Sequence, residues 1–206
     1  YSEYVKSVVI DSGITAISTK MFPKTPENLT SISLPDTLTK IGNSAFYGCT
    51  KLANITIPDS VTTIGQRAFS YCDTLTSITI PNSVTAIRNG VFKNCSSLTS
   101  VTVPNSVTSI GHEAFYRCSS LTAIAIPNSV ITVKDYAFDG CKKLTSITLP
   151  DSVTSIGEYA FYDCSSLTSI TFQGTIAQWE EIILQDDWNN EVPAKVVHCT
   201  DGDVEI

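Results

Sequence analysis

Cysteine residues recur along this chain at a fixed interval, and cysteine chemistry is the first function that such a pattern suggests. Six of the seven cysteines lie 23 residues apart, at Cys49, Cys72, Cys95, Cys118, Cys141 and Cys164. Such a series could form a disulfide framework, bind a metal or a redox group, or occupy one packing position in a repeating fold. The residues between the cysteines decide which of these interpretations is favoured.

Nearly every other residue type keeps the 23-residue interval of the cysteines. Leucine recurs from Leu29 to Leu167, and phenylalanine recurs from Phe46 to Phe161. The unit is L-x-x-I-x-I-P-x-S-V-T-x-I-G-x-x-A-F-x-x-C-x-x, and residues 8–28 carry a degenerate copy with Ile10, Ile14, Ile17 and Phe22 at its apolar positions. A repeat of this length indicates a solenoid, in which each coil buries its flat faces against its neighbours.

Each repeat begins with a strand pattern and continues into turns. In Ser77–Ile80 the residues alternate, so that Ile78 and Ile80 face inward while Ser77 and Thr79 face outward. The following proline ends the strand, and Ser83 is placed to hydrogen-bond the backbone of the turn. Glycine follows in four units, at Gly42, Gly65, Gly111 and Gly157, which predicts a position with positive φ.

Stacked coils favour the packing interpretation of the cysteines. Equivalent residues on adjacent coils repeat at about 4.8 Å, whereas the Cβ atoms of a disulfide lie about 3.8 Å apart. A straight series also cannot converge on one metal ion as tetrahedral zinc requires. We therefore expect six buried, reduced thiols packed beside the phenylalanines, and neither a metal nor a cofactor.

The repeat LTSITLPDSVTSIGEYAFYDCSS, residues 144–166, closely resembles the BspA-like (Treponema-type) leucine-rich repeats of bacterial surface proteins. The resemblance extends over residues 29–172 and, more loosely, over residues 8–28. The segments ITFQGTIAQWEEI and VHCTDGD are similar to the C-terminal cap of such proteins. The resemblance implies a secreted or surface-attached protein with a role in adhesion to host matrix proteins or other cells, and it transfers no active-site residues.

Together these patterns predict an α/β-type solenoid, a leucine-rich-repeat right-handed superhelix of about eight coils with a parallel β-sheet on its concave face. We expect one domain over residues 1–206, with a degenerate first coil and N-terminal cap (1–28), regular repeats (29–172) and a C-terminal helix and hairpin cap (173–206). In the cap, Thr175 is placed to begin a helix over residues 175–184 that carries Ile176, Trp179 and Ile183 on one face. Asp201-Gly202 predicts the hairpin turn.

Catalytic and metal chemistry find little support in the remaining residues. The two histidines, His112 and His198, lie apart in the sequence, and Cys199 would point to the opposite face of a strand from its neighbour His198. The acidic residues of the cap, Asp186, Asp187, Asp201, Asp203 and Glu205, leave a calcium-dependent or carbohydrate-binding module as a weaker alternative. We therefore expect no enzymatic activity.

The charge distribution gives no support to binding of nucleic acid or of an anionic membrane. The net charge of −7 falls on residues 167–206, so that the repeats are neutral and offer no basic surface to nucleic acid. No apolar run approaches the roughly 20 residues that span a membrane, and we expect no membrane insertion. Because the chain starts at Tyr1 without a signal-like segment, we expect a mature or trimmed piece of a longer protein.

Two faces could bind a protein partner. The outward positions of the concave sheet, among them Thr102 and Thr148, are uncharged and not aromatic. The tyrosines of the repeats instead gather around the Ala-Phe pair, and stacking predicts a ridge formed by Tyr116, Arg117, Tyr136, Tyr159 and Tyr162, here called the tyrosine ridge. We expect a monomeric module that binds an extracellular-matrix or cell-surface protein through this ridge. The alternatives are binding through the concave sheet, rings that only shield the phenylalanines, and a structural spacer or stalk that presents other domains.

Overall fold

The computed structural model describes residues 4–22, 26 and 28–206. Within them the chain winds into stacked coils, as the repeat predicts. Most coils contribute one strand to a first ladder of parallel strands and a second, shorter strand to another ladder; residues 54–57 form no strand, and Ala125 and Ile87 make only single bridges. The two ladders enclose the apolar side chains of the repeat.

The first ladder is built from the L-x-x-I-x-I segments and is extended by the C-terminal hairpin. Its strands are β1 (Ser7–Val9), β3 (Ser31–Ser33), β6 (Ser77–Thr79), β7 (Ser100–Thr102), β10 (Ser146–Leu149), β12 (Ser169–Phe172), β14 (Val196–Cys199) and β15 (Gly202–Glu205). Pairing is parallel throughout except between β14 and β15, which form a hairpin. The predicted alternation is confirmed, since Ile78 is buried between the exposed Ser77 and Thr79.

The second ladder comes from two-residue strands that end just before the glycine position. Its strands are β2 (Ala16–Ile17), β4 (Lys40–Ile41), β5 (Thr63–Ile64), β8 (Ser109–Ile110), β9 (Thr132–Val133), β11 (Ser155–Ile156) and β13 (Ile183–Leu184). Adjacent strands place equivalent residues of neighbouring repeats opposite each other, as in the pairing of Ile110 with Val133. Within each sheet this register stacks equivalent side chains of successive repeats on one another.

The glycines before the Ala-Phe segment correct one expectation. The glycines with positive φ are Gly13, Gly48, Gly90, Gly140 and Gly202, so the prediction for the four repeat glycines was wrong. A Cβ atom added at Gly111 would instead lie 2.8 Å from the carbonyl carbon of Arg88 in the preceding coil. Glycine is therefore required there by close approach of two backbones. Where Arg88 replaces it, its N–H donates no hydrogen bond to the preceding coil among the described residues, and the second ladder is interrupted.

The interior is a stack of phenylalanine rings flanked by the cysteines. Ring centroids of successive phenylalanines lie 5.2 to 5.7 Å apart with nearly parallel planes, from Phe46 to Phe161. The six repeat cysteines are free and fully buried, which confirms the packing interpretation. Each from Cys72 onward also donates a hydrogen bond to the phenylalanine carbonyl oxygen of the preceding coil, a role that the sequence did not suggest.

The repeat serines likewise join adjacent coils. The hydroxyl of Ser83 donates to the carbonyl oxygen of Val61, 2.6 Å away in the coil before it, and four other repeat serines make the equivalent bond. Ser83 therefore bonds turn backbone as expected, but in the preceding coil rather than in its own.

The C-terminal end differs from the predicted helical cap. The helix α1 (Ile176–Glu180) begins at Thr175, whose side chain and that of Gln178 form a capping box, but it is only five residues long. Ile183 lies outside the helix, in β13, where it pairs with Ser155 of β11. The last coil is therefore an irregular repeat with an inserted helical turn, closed by the β14–β15 hairpin. The hairpin loop is Thr200-Asp201 rather than Asp201-Gly202, since Cys199 pairs with Gly202.

Two tryptophans cover the apolar end of the stack. The rings of Trp188 and Phe161 are in edge contact at 6.1 Å, and those of Trp179 and Phe172 at 5.4 Å. Both tryptophans are buried. No helix among the described residues has the length and apolar character needed to cross a bilayer.

Candidate protein-binding site

The turns around the Ala-Phe pair adopt an unusual backbone conformation in every regular repeat. Two residues of each turn have positive φ, and three of them belong to the tyrosine ridge: Arg117 (54°), Tyr136 (57°) and Tyr159 (52°). The same two positions hold Gly90 and Gly140 in other coils. A side chain in this conformation costs about 1–2 kcal/mol relative to the ordinary helical region. The backbone therefore favours glycine where the chain places tyrosine and arginine.

Three ridge tyrosines are in direct contact. The rings of Tyr136 and Tyr159 are stacked at 5.2 Å across adjacent coils, and Tyr162 meets Tyr159 edge-on at 5.4 Å. His112 extends the series, with its ring edge-on to Tyr136 at 5.5 Å. All four side chains are half-buried, so that they have fixed positions and an accessible side. We call His112, Tyr136, Tyr159 and Tyr162 the aromatic row.

The other two ridge residues form a separate group with a lysine. The Lys93 ammonium lies 4.6 Å from the centre of the Tyr116 ring, and the Arg117 guanidinium lies 5.1 Å from it. Lys93 also bonds the Glu113 carboxylate at 2.6 Å. Both cations are placed for cation–π attraction to the same ring. Over the described residues no ring contact joins Tyr116 to the aromatic row, so the predicted ridge has two parts.

A buried carboxylate occupies the position between the two parts. Asp139 follows Phe138 just as Tyr116 follows Phe115 and Tyr162 follows Phe161, and it is only 8% exposed. Its side chain forms no hydrogen bond or ion pair among the described residues. Burial raises the pKa of Asp139 to about 6, although the nearby Arg117 lowers it. The ridge thus contains a buried acid without a direct partner.

The tyrosines of the row lie in acidic surroundings. Partial burial and then the carboxylates of Glu158 and Asp135 raise the pKa of Tyr136. The pKa of Tyr159 is raised chiefly by its hydrogen bond to Asp187, and that of Tyr162 by the charge of Glu191. Each shift has a negative charge among its causes. The tyrosine hydroxyls of the row therefore lie under the influence of negatively charged side chains.

Sequence reasoning missed several of these residues, for different reasons. Lys93 and Asp139 could have been found from the repeat, because they occupy the position of Tyr116 in the preceding and the following coil. The contact of His112 with Tyr136 could not be predicted from the repeat, because it depends on the left-handed turn at Tyr136. Asp187 and Glu191 come from the irregular last coil, where the register no longer holds.

The other candidate residues do not assemble into a chemical site. His198 pairs with Asp203 across the hairpin at 2.8 Å, and His112 lies 3.9 Å from Asp135. Asp201 accepts a hydrogen bond from the Ile176 N–H at the start of α1. Over the residues that the structure describes, no three histidine, cysteine, aspartate or glutamate side chains gather as metal ligands would. The geometry therefore does not favour the calcium alternative.

Two shallow grooves lie on the surface, one beside the tyrosine ridge and one along the second ladder. One, of about 490 Å³, runs beside the ridge and is lined by residues including Tyr71, Asn94, Arg117 and Asp163. The other, of about 540 Å³, lies over Gly42 and Gly65. Both are open to solvent, and neither is an enclosed pocket of the kind that holds a cofactor.

Comparison with known proteins agrees with the repeat architecture. The family model described as "BspA type Leucine rich repeat region (6 copies)" matches residues 1–122 and 85–189. The chain is 35% identical to the leucine-rich repeat protein of Treponema pallidum, with 79% of this chain and 78% of that one covered and a TM-score of 0.72. The comparison with curated proteins finds no match.

Two further solved structures are longer than this chain. A leucine-rich repeat protein from Bacteroides ovatus is 28% identical with a TM-score of 0.73, and the match covers 96% of this chain and 56% of that one. One from Eubacterium ventriosum is 29% identical with a TM-score of 0.68, and the match covers 80% of this chain and 44% of that one. The chain therefore spans about half the length of these two proteins.

Proposed function

Because the chain belongs to the BspA-type leucine-rich repeat family, we propose that it is a non-enzymatic protein-binding module, secreted or displayed on a bacterial surface, that mediates adhesion. Its partner is a protein, of the extracellular matrix or of another cell's surface. The module acts as a monomer and binds through the tyrosine ridge.

The observation that carries this proposal is the contact of Tyr136, Tyr159 and Tyr162 on the outside of a rigid turn column. Tyrosine and arginine are enriched at protein interfaces, since they offer a large contact area at low cost in side-chain entropy. The turn at residues 136–140 is tied to the next coil, since the Tyr136 N–H donates to the carbonyl oxygen of Glu158 and the Gly140 N–H donates to that of Tyr162. Such a surface loses little conformational freedom when it binds.

The uniform outward surface of the first ladder favours a second candidate function, that of a structural spacer. The outward residues of the first ladder are small and uncharged, as at Ser100, Thr102, Ser146 and Thr148. A spacer needs only the continuous core and this uniform surface. It gives no account of tyrosines at positions where the backbone favours glycine, and for that reason we prefer the binding module.

The two candidates differ in their sensitivity to surface changes. The purified chain is tested by biolayer interferometry against a panel of purified matrix and cell-surface proteins, and positives are repeated with two double variants. For a partner of the ridge, R117A/Y159A reduces affinity at least about tenfold, whereas T102E/T148E on the first ladder leaves it unchanged. The opposite pattern would assign binding to the ladder face. Binding to no member of the panel, or binding that neither variant alters, would favour the spacer.

A further inference from the structure

Exposed carboxylates without cationic partners surround the aromatic row. Glu158 directly precedes Tyr159 in the chain, and the negative charges of Glu158, Asp187 and Glu191 act on the hydroxyls of Tyr136, Tyr159 and Tyr162 respectively and raise their pKa. Among the described residues, none of the three forms an ion pair with a lysine or an arginine. By contrast, Glu113 and Asp163 nearby are neutralised by Lys93 and Lys142. The row therefore combines aromatic faces with uncompensated negative charge.

Asp139 adds an independent observation on the same surface. It is more than nine-tenths buried, lies between the Tyr116 and Tyr162 positions, and has no hydrogen-bond or ion-pair partner in the described part of the chain. Its charge acts on both Tyr136 and Tyr162. A buried carboxylate is favourable only when a cation or donors compensate it, and here Arg117 and Lys93 act on Asp139 from beyond ion-pair distance.

A cation–π contact of the kind that the aromatic row could make already occurs within this chain, at Tyr116. Lys93 and Arg117 lie over the Tyr116 ring at 4.6 and 5.1 Å, within cation–π distance. The rings of Tyr136, Tyr159 and Tyr162 have no cation over them among the described residues. Their negative faces and the carboxylates beside them would both attract a lysine or arginine from another protein.

We propose that the aromatic row binds a cationic protein segment, in which lysine or arginine side chains lie against Tyr136, Tyr159 and Tyr162 and pair with Glu158, Asp187 and Glu191. This inference rests on the proposed binding function and specifies the chemistry of the partner. The net negative charge of the chain increases the rate of encounter with such a segment.

Fluorescence anisotropy with three labelled peptides of equal length tests the inference. One peptide alternates glycine with arginine, one alternates glycine with glutamate, and one alternates glycine with serine. The arginine peptide binds saturably to the intact chain, its affinity falls as salt is raised, and the other two do not bind. E158Q/D187N reduces the affinity at least about fivefold.

The matched control is D59N/D151N, which removes two exposed carboxylates elsewhere on the repeats. It changes the net charge by the same amount and alters the affinity less than twofold. If it reduces the affinity as much as E158Q/D187N, the attraction is general electrostatics and the inference is wrong. Equal binding of the glutamate peptide would also overturn it.

A second pair of variants, Y136G and Y159G, tests the rings without straining the backbone. Glycine is the residue that the same turn position holds at Gly90, with φ of 63°. Loss of arginine-peptide binding by a folded Y136G/Y159G protein supports the inference, and retained binding contradicts it. If the Y136G/Y159G protein does not fold, the effect of E158Q/D187N on arginine-peptide affinity still tests the inference. A natural partner could require Arg117 and Tyr159 for binding and yet not be displaced by the arginine peptide. That result would support the proposed binding function and show that the inference of a cationic partner is wrong.

Discussion

The thiol of Cys95 donates a hydrogen bond to the carbonyl oxygen of Phe69, 3.1 Å away in the preceding coil. The same bond recurs at 3.1 to 3.3 Å for every later repeat cysteine and for Cys72. Each acceptor also receives the N–H of the cysteine in its own coil. The cysteines thus fill space in the core and tie each coil to the next.

Replacing one of these cysteines tests both contributions. C118A removes a buried sulfur and leaves the Phe92 carbonyl with one hydrogen bond fewer, so we expect a loss of about 1–2 kcal/mol in the free energy of unfolding. The matched control is C199A, a half-buried cysteine on β14, which we expect to cost less than about 0.5 kcal/mol. Urea denaturation of both variants measures the difference. Equal losses would mean that the repeat position has no special role.

Thiol labelling of the native protein follows from the same burial. The six repeat thiols are fully buried, and burial raises the pKa of Cys95 to about 12 and that of Cys118 well above its usual value. The reactive thiolate is therefore scarce as well as inaccessible. Without denaturant, an aromatic disulfide reagent should label Cys199 alone, and denaturant should release seven equivalents. Rapid labelling of several thiols in the native protein would contradict the packing interpretation.

Asp139 gives a pH dependence with a definite sign. Burial raises its pKa from 3.8 to about 6; Arg117 and Lys93 lower the pKa, and Asp163 and Glu113 raise it. The folded protein therefore binds more protons than the unfolded chain between pH 3.8 and about 6, and stability falls as the pH rises through this window. At neutral pH, D139N removes the free-energy cost of burying a charged carboxylate. Below pH 4 the carboxyl group is protonated in both the folded and the unfolded chain, so the substitution gains little there.

We accordingly expect D139N to be more stable than the wild type at pH 7.5, by a margin on the order of 1–2 kcal/mol that narrows towards pH 4. Guanidinium denaturation at both pH values measures it. The exposed Asp151 provides a control, since D151N should change stability by less than about 0.5 kcal/mol at either pH. A D139N protein that is less stable at pH 7.5 would show that the carboxylate is compensated in solution.

The irregular last coil should be required for solubility. Trp179 and Trp188 contact Phe172 and Phe161, and removal of residues 173–206 would expose both phenylalanines together with Leu167. We expect the truncated chain to aggregate, as observed by size-exclusion chromatography with light scattering. The milder W188A should remain soluble and lose about 3–5 kcal/mol of stability. A truncated chain that stays monomeric would refute the capping role.

The sequence predicted most of the coil, because each core residue recurs in register and repetition separates packing positions from variable ones. Gly111 shows the limit of this reasoning, since a conserved spacing does not distinguish a positive φ from a close backbone contact. The cap was predicted less well because Ile183 follows a helical spacing, while the unpaired edge of β11 binds its backbone as a strand.

The ridge was predicted in part for the same reason. Register alone brings Tyr136 beside Tyr159, and the structure shows this contact. The lateral contacts of Tyr136 with His112 and of Tyr159 with Asp187 depend on left-handed turns and on the irregular coil, neither of which is visible as a repeat.

Amide hydrogen exchange of the chain with and without a bound partner protein tests most directly whether the tyrosine ridge is the binding surface. We expect slower exchange on binding in the turns at residues 113–117, 136–140 and 159–163, with the strands β7, β10 and β12 unchanged. Slower exchange confined to those strands, with the three turns unaffected, would contradict it.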